Sequence, residues 1–230
     1  MSRDHWNRII ITAGPTREWL DPVRFLSNPA SGQTGWFLAE AARDSAVFQE
    51  VVYISGPGWP EYRSVPGALN YAVEGTHDMA RVLQGELASN SILFMTAAPA
   101  DYYLPQIATQ KRKKNDGGPL QLELHPTPDI LKSIIEPAVE LENFWRIGFA
   151  AETNNVEEYA LQKLQAKQLD FICANQVFRN TSGFGTNRNT LTVIGRDQSR
   201  QIIGPENKKT IARQLLQYIL ESIRAIASDL

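Results

Sequence analysis

The segment ITAGPTREWLDPVRFLSNPASGQTG, residues 11–35, begins like a phosphate-binding turn and then departs from that pattern. The β-branched residues 9–12 lead to Gly14, where a tight turn from a strand into a helix is expected. A long polar segment containing prolines intervenes before residues 31–35 lead into the helix-like stretch WFLAEAARD. Long connections in compact domains are usually functional, so this first loop is the first candidate site.

Known phosphate-binding motifs do not fit this loop, because neither G-x-G-x-x-G nor G-x-x-x-x-G-K-[ST] occurs in it. Gly14, Ser31 and Gly32 are still backbone positions that can approach phosphates at a helix N-terminus. Arg24 and Asn28 are polar residues in a segment with no other evident reason to be ordered. The residues alone leave open whether these two act on a ligand or are a surface charge and a turn cap.

Strand-like and helix-like segments alternate along the chain. Strands are predicted at NRIIITAG, EVVYISGPG, NYAVEG, SILFMTAA, FWRIGFAAET and DFICANQV, and a terminal hairpin at TLTVIGRD and QIIG. Helices are predicted at GWFLAEAARDSA, at THDMARVLQGELA with Thr76 or Asp78 as its cap, at NNVEEYALQKLQAKQ and at the closing KKTIARQLLQYILESIRAIASDL. The alternation predicts one α/β domain over residues 1–230, with a doubly wound, mostly parallel, Rossmann-like sheet.

One excursion, at about residues 102–128, interrupts this alternation. NDGG is a turn signal, and Leu120, Leu122 and Leu124 alternate with polar residues, which predicts a hairpin. Open α/β sheets bind ligands at the carboxyl ends of their strands, so we interpret the hairpin as a flap over these ends. A solvent-exposed hairpin without function is the alternative.

Two groups of basic residues suggest a polyanionic ligand. KRKK, residues 111–114, places four positive charges on the predicted flap. Lys163 and Lys167 lie four residues apart and share one helix face, where like charges repel by roughly 0.2–0.5 kcal/mol. No acidic residue lies three or four positions from Lys163, and only Asp170 is placed to compensate the charge of Lys167. For both groups the residues alone leave open the alternative of solvated surface charges.

Composition restricts the classes of function. A formal net charge of −2 gives no support for a nucleic-acid or membrane-surface binder. No apolar run approaches the ~18 residues of a membrane span, and the N-terminus lacks an apolar signal core. The single Cys173 excludes an internal disulfide and is expected to be a packed thiol, so we expect a cytoplasmic protein. The three histidines show no metal-ligand spacing, so no protein metal site is predicted.

Several longer motifs occur in a specific order. They are ITAGPTREWLDPVRFLSN with its serine-glycine pair, TAAPADY followed by KRKK, then TPDIL, GFAAET, LDFICAN and GFGTNRNTLTVI. On these motifs the chain resembles phosphopantothenoylcysteine synthetase (phosphopantothenate–cysteine ligase), the ligase half of the bifunctional coenzyme A biosynthesis flavoproteins. The resemblance extends over essentially the whole chain. It departs at Pro29-Ala30 and Gln33-Thr34, where the family more often carries other residues.

The resemblance implies a reaction. A nucleoside triphosphate, usually CTP in bacteria, would activate the carboxylate of 4′-phosphopantothenate as an acyl-nucleotidylate, and L-cysteine would then form the amide. Mg²⁺ bridging the phosphates is expected from this chemistry. The resemblance also implies a homodimer. It further implies a separate phosphopantothenoylcysteine decarboxylase in the same pathway, because no decarboxylase half precedes Met1.

The resemblance also implies roles for residues. Asn28 would donate to the carboxylate and acyl-phosphate, Arg24 would hold the loop or a phosphorylated group, and Lys111 would contact phosphate from the flap. These three form the catalytic set. The nucleotide-binding set comprises Gly14, Ser31, Gly32, Ala97, Asp101, Lys111, Thr127, Pro128, Asp129, Ile130, Phe149, Lys163 and Lys167.

Two other functions compete with the ligase. A nicotinamide-dependent oxidoreductase on a Rossmann-like sheet is disfavoured by the missing G-x-G-x-x-G motif. A nucleotide-binding regulatory module without turnover is opposed only by Asn28 and Lys111, which binding alone would not need. The choice between CTP and ATP is not readable from the side chains.

Overall fold

The computed structural model describes residues 6–113, 118–176 and 188–228. Its strands are β1 (Trp6–Ala13), β2 (Arg17–Asp21), β3 (Arg24–Ser27), β4 (Phe48–Ser55), β5 (Leu69–Ala72), β6 (Ser91–Met95), β7 (Tyr102–Tyr103), β8 (His125–Pro126), β9 (Phe144–Glu152), β10 (Phe171–Gln176), β11 (Arg188–Gly195) and β12 (Arg200–Asn207). Its α-helices are α1 (Gln33–Ser45), α2 (Thr76–Glu86), α3 (Ile130–Ser133), α4 (Ile135–Val139), α5 (Val156–Ala166) and α6 (Lys208–Ser228), and a 3₁₀ turn spans Pro60–Tyr62.

Eight of the described strands form one sheet in the order β12-β11-β10-β9-β6-β1-β4-β5. The strands from β10 to β5 in this order pair in parallel, and β11 and β12 add an antiparallel hairpin. The chain runs from β1 outward through β4 and β5 and then returns to place β6 on the other side of β1. The doubly wound, mostly parallel sheet predicted from the sequence is confirmed.

Both faces of the sheet are covered, which explains the continuous apolar runs. Ile9 and Ile11 pack with α1 and α6 on one face, whereas Ile10 packs with α2 and α5 on the other. Because successive side chains of a strand point to opposite faces, a strand buried on both sides must be apolar at every position.

The first loop contains a two-stranded hairpin, β2–β3, that the sequence analysis missed. Asp21 accepts hydrogen bonds from the backbone N–H groups of Val23 (2.9 Å) and Arg24 (3.0 Å), which closes the turn around Pro22. In the sequence, the pair Asp21-Pro22 was the signal that could have predicted this turn. At α2 the N-cap residue is Gly75, whose N–H donates to Asp78 Oδ2 at 3.4 Å, so Asp78 contributes to the cap as predicted. Thr76 does not cap the helix, because its hydroxyl donates to Glu18.

The flap excursion pairs only at its base. Strand β7 joins β8 through Tyr102–Pro126 and Tyr103–His125, and the described residues between them form no further strand. The alternating leucines therefore do not form the predicted hairpin arm, and the Leu120 side chain is exposed. Most of the predicted NDGG turn lies outside the described residues, as does Lys114.

Cys173 is fully buried in β10, as predicted. Burial raises the pKa of its thiol far above the ordinary value, so the group stays protonated. We expect Cys173→Ala to lower the free energy of unfolding by about 1 kcal/mol, because the substitution leaves a small cavity. Urea denaturation would measure this, and an unchanged midpoint would contradict the packing role.

Candidate active site

A cleft opens where the chain reverses its direction along the sheet, at the carboxyl ends of β1 and β6. The Ala98 N–H donates to the Gly14 carbonyl at 2.9 Å and ties the two strand ends together. A cavity of about 400 Å³ lies beside this link. Among the residues that line it are eight of the predicted site residues: Gly14, Asn28, Ser31, Gly32, Ala97, Asp101, Phe149 and Lys163. These eight residues therefore lie together around one cavity.

The N-terminus of α1 forms one wall of this cavity. Gly32 is the N-cap with φ of 87°, and Ser31 Oγ accepts from the Gln33 N–H at 3.3 Å. Gly35 lies so close to β1 and β6 that a Cβ atom there would be 2.4 Å from Thr96 Oγ1. This close approach brings the start of a 13-residue helix against the strand ends. Such a helix start is suited to phosphate oxygens.

Asn28 leaves β3 and reaches across to the loop after β6. Its Nδ2 donates to the carbonyl of Pro99 at 2.8 Å and to that of Ala98 at 3.2 Å. These contacts hold the first loop over the cleft, so Asn28 does more than cap a local turn. They also occupy both hydrogens of the amide, so a substrate oxyanion would have to replace one of the two carbonyls.

A second cavity, of about 270 Å³, continues the cleft toward α3. Both cavities share Ala97, Pro99, Asp101, Phe149 and Lys163, so they are two lobes of one site. The second lobe adds five further residues of the predicted nucleotide-binding set: Thr127, Pro128, Asp129, Ile130 and Lys167. The Thr127 hydroxyl and N–H donate to the carbonyls of Ala100 (2.6 Å) and Asp101 (2.9 Å), which fixes this wall.

Lys163 lies between the two lobes. Its Nζ donates to the Phe149 carbonyl at 2.6 Å. Burial lowers the pKa of Lys163, and the carboxylates of Glu152 and Asp101 oppose this shift. A partly buried ammonium in a cleft attracts an anion more strongly than a fully solvated lysine does, so its partial burial and its contact with Phe149 distinguish Lys163 from a solvated surface charge.

Lys167 follows the last turn of α5 and forms an ion pair with Asp129, the N-cap of α3. Asp170, which by spacing could compensate Lys167, instead accepts from Arg196 at 3.0 Å and from the Arg146 N–H at 2.7 Å. Burial lowers the pKa of Lys167 as well. The pair holds Lys167 at the wall of the second lobe.

Two predicted catalytic residues, Arg24 and Lys111, line neither lobe. The Arg24 guanidinium donates to Asp21 Oδ2 at 2.6 and 3.0 Å and to the Arg112 carbonyl at 2.5 Å. Arg24 was expected to hold either the first loop or a phosphorylated group. Its geometry favours the first role, because its contact with Arg112 ties the β2–β3 hairpin to the flap. Lys111 is exposed on the flap next to this link.

Asp21 is the centre of the link between the hairpin and the flap. Burial alone would raise its pKa, but hydrogen bonds from Arg24, Val23 and the Arg112 N–H hold the pKa well below its usual value. Because the pKa is lowered, the carboxylate remains charged and the link intact above an ordinary aspartate pKa of about 4. The link is lost only as the pH falls through the lowered value.

We expect Asp21→Asn to loosen the flap, because the amide cannot accept from Arg24 and the Arg112 N–H together as a charged group does. Trypsin should then cleave after Lys111 and Arg112 several times faster than in the parent protein. Mass spectrometry of timed digests would measure this. Asp44→Asn, which removes an exposed partner of Arg43, is the control; equal cleavage in the two variants would refute the link.

Sequence analysis did not single out Glu152, Asn175, Asn189 and Lys208, which also line the larger lobe. Three of them lie within the quoted motifs GFAAET, LDFICAN and GFGTNRNTLTVI, so the motifs themselves were the available signal. Lys208 begins α6, is buried, and has its pKa lowered by that burial. Nothing in its sequence surroundings distinguished it from an ordinary helix-start lysine.

The described residues contain neither a metal-binding cluster nor a membrane-spanning helix. No group of three or more histidine, cysteine or carboxylate side chains there is arranged to hold a metal ion. In the same part of the chain, no helix is both long enough and apolar enough to pass through a bilayer.

The fold and the cleft define an α/β domain with its site at the switch point of a doubly wound sheet. Residues 5–223 match the family model described as the DNA/pantothenate metabolism flavoprotein C-terminal domain. The chain belongs to this family, and the family membership inferred from the motifs is confirmed.

Relatives and solved structures agree with this assignment. The chain is 38% identical over 218 residues to the Coenzyme A biosynthesis bifunctional protein CoaBC of Bacillus subtilis, covering 92% of the chain and 50% of that protein. It is 37% identical over 214 residues to CoaBC of Escherichia coli K12, covering 92% and 51%. The chain therefore spans about half the length of these relatives. A crystal structure of the C-terminal domain of CoaBC has a TM-score of 0.75 and 33% identity, with 96% of this chain and 97% of that one covered.

Proposed function

We propose that this protein is a phosphopantothenate–cysteine ligase of coenzyme A biosynthesis. It uses a nucleoside triphosphate, CTP in preference to ATP, to activate 4′-phosphopantothenate and then joins the acyl group to L-cysteine. The observation that carries the proposal is the two-lobed cleft, in which a helix N-terminus, Asn28 and the partly buried Lys163 converge at the switch point of the sheet. The names of the 35–38% identical relatives support the same pathway.

The cleft provides separate places for the parts of the nucleotide. The triphosphate lies along the start of α1 at Ser31 and Gly32 and against Lys163, where backbone N–H groups and a partly buried ammonium face it. The base and ribose lie in the second lobe, between Phe149 and the segment 127–130. Lys167 and Asp129, held together as an ion pair, form the end of that lobe.

Activation requires a carboxylate oxygen of phosphopantothenate to attack the α-phosphorus, which forms one P–O bond as pyrophosphate leaves. A carboxylate is a weak nucleophile, so this step depends on positioning. Asn28 stands beside the strand ends, where its amide can turn from the Ala98 and Pro99 carbonyls to the carboxylate. Lys163 neutralises charge on the phosphates from the opposite side.

Amide formation follows in the same cleft. The cysteine amine attacks the acyl carbon, the bond to the nucleoside monophosphate breaks, and the amine loses a proton. Negative charge develops on the acyl oxygen, which the Asn28 amide is placed to stabilise. Lys111 contacts phosphate when the flap covers the cleft, and Arg24 and Asp21 hold the neighbouring flap residue Arg112.

Mg²⁺ would supply charge neutralisation of the phosphates when bound. In proteins Mg²⁺ is commonly held by substrate phosphates, water and one or two carboxylates. Asp101 and Glu152, which both line the cleft, are the carboxylates that fit this use. A dedicated protein cage is not needed for such a site.

Incubation with CTP, 4′-phosphopantothenate, cysteine and Mg²⁺ tests the proposal. We expect pyrophosphate and the amide product in equal amounts, and slower turnover when ATP replaces CTP. Omission of cysteine should leave the acyl-nucleotidylate and pyrophosphate as the only new products. Nucleotide binding without any product would instead support the regulatory module, and neither the family match nor the relatives favour the oxidoreductase. A homodimer, a partner decarboxylase and a cytoplasmic location are parts of the same proposal.

A further inference from the structure

A third cavity, of about 590 Å³, lies near the amino ends of β9 and β10, at the other end of the strands from the cleft. It is bounded by the C-terminal half of α5, by Arg146 near the start of β9 and by the turn between β11 and β12. Arg146 precedes the cleft residue Ala150 by four positions, about 13 Å along a strand. The cavity shares no lining residue with either lobe of the cleft, so it is a separate site.

Three arginines, Arg146, Arg196 and Arg200, line this cavity with a single carboxylate, that of Asp170. Asp170 is already bonded, because it accepts from Arg196 Nη1 at 3.0 Å and from the Arg146 backbone N–H at 2.7 Å. Arg200 forms an ion pair with Glu157 on α5. The lining residues therefore carry more positive than negative charge.

Among these arginines, Arg146 has a hydrogen-bond donor that no described protein group accepts from. Its Nη1 is buried and has no hydrogen-bond partner among the described residues. Burial lowers the pKa of Arg146, Asp170 opposes this shift, and Arg196 adds to it. A buried donor without a partner is costly, and such groups in native structures usually mark an ion or a water molecule.

The cavity lining also has an apolar part, the apolar wall, formed by Leu161, Leu164, Leu169 and Ile194. A volume of this size suits a small organic molecule. We propose that the cavity binds a small organic anion, with its phosphate or carboxylate on Arg146 and Arg196 and its apolar body against these aliphatic side chains. The planar fork of a guanidinium matches either anion. A single water molecule could accept from Arg146, but it would not contact the apolar wall or bind Arg196 as an anion does.

Titration of the ¹⁵N-labelled full chain with phenyl phosphate, followed through backbone amide signals, tests this site. We expect saturable shifts at Gln165, Gln168 and Arg196, which lie around the cavity. The Arg146→Met variant should raise the dissociation constant measured at these amides at least tenfold. It should leave the shifts at Gly14 and Gly32 in the cleft as they are in the parent protein.

Arg81→Met is the matched control, because it removes the same charge from an exposed position on α2. Equal dissociation constants for the two variants, or shifts confined to the cleft, would overturn the proposal. Inorganic phosphate should bind at least threefold more weakly than phenyl phosphate at these amides, and equal affinity would overturn the role of the apolar wall. Should Arg146→Met fail to fold, Arg146→Lys keeps the charge but loses the fork, and we expect it to weaken binding at least threefold.

Discussion

Asn28→Asp is expected to reduce amide formation by roughly 10²-fold or more, corresponding to about 3 kcal/mol, the cost of removing a comparable oxyanion donor. A carboxylate at this position would repel the oxyanion that forms when the cysteine amine attacks. It would also face the Ala98 and Pro99 carbonyls, to which the amide now donates. Because activation depends less on this donor than transfer does, the acyl-nucleotidylate should accumulate and be detectable by mass spectrometry.

The control for this variant is Asn7→Asp. Asn7 lies near the amino end of β1, far from the cleft, and its Nδ2 also donates to a backbone carbonyl, that of Ser89. The two substitutions therefore introduce the same charge and break the same kind of contact. Wild-type turnover by Asn28→Asp, with no trapped intermediate, would mean that Asn28 serves only to hold the loop.

Lys163→Gln is expected to weaken CTP binding by roughly 1.5–3 kcal/mol, about 10- to 150-fold, because it removes a charge-assisted contact in a buried site. Calorimetry would measure the change. Lys209→Gln, an exposed lysine at the start of α6, is the charge-matched control and should bind as the parent does. Because Lys163 also donates to the Phe149 carbonyl, thermal unfolding of both variants must show that the fold is retained.

The same lysine predicts a pH dependence of CTP binding. Burial lowers the pKa of Lys163, so its ammonium is lost at a lower pH than that of an exposed lysine. Affinity for CTP should therefore fall as the pH rises through that pKa, and this fall should be absent in Lys163→Gln. A fall of the same size in both proteins would assign the dependence to another group.

The first loop shows why motifs located the site more reliably than local rules did. The sequence predicted that Gly14, Asn28 and Ser31 serve one site, and all three line one cavity. It did not predict β2–β3, because the strands are short and rest on one turn, where tertiary contacts outweigh propensity. The predicted hairpin arm of the flap was wrong because alternating leucines, such as Leu120 and Leu124, form a strand only when a partner strand is present.

By itself, the sequence determined the order of the eight strands of the large sheet and of the four long helices, and the burial of both sheet faces, because hydrophobic periodicity records which side of each element meets the core. Its ordered motifs also determined the family. Only the tertiary structure decided which charges meet. Lys167 pairs with Asp129 at the end of the second lobe and not with Asp170 nearby in sequence, and Arg24 pairs with Asp21. Pairings of this kind depend on how loops from separate strands converge, and no local pattern encodes that geometry.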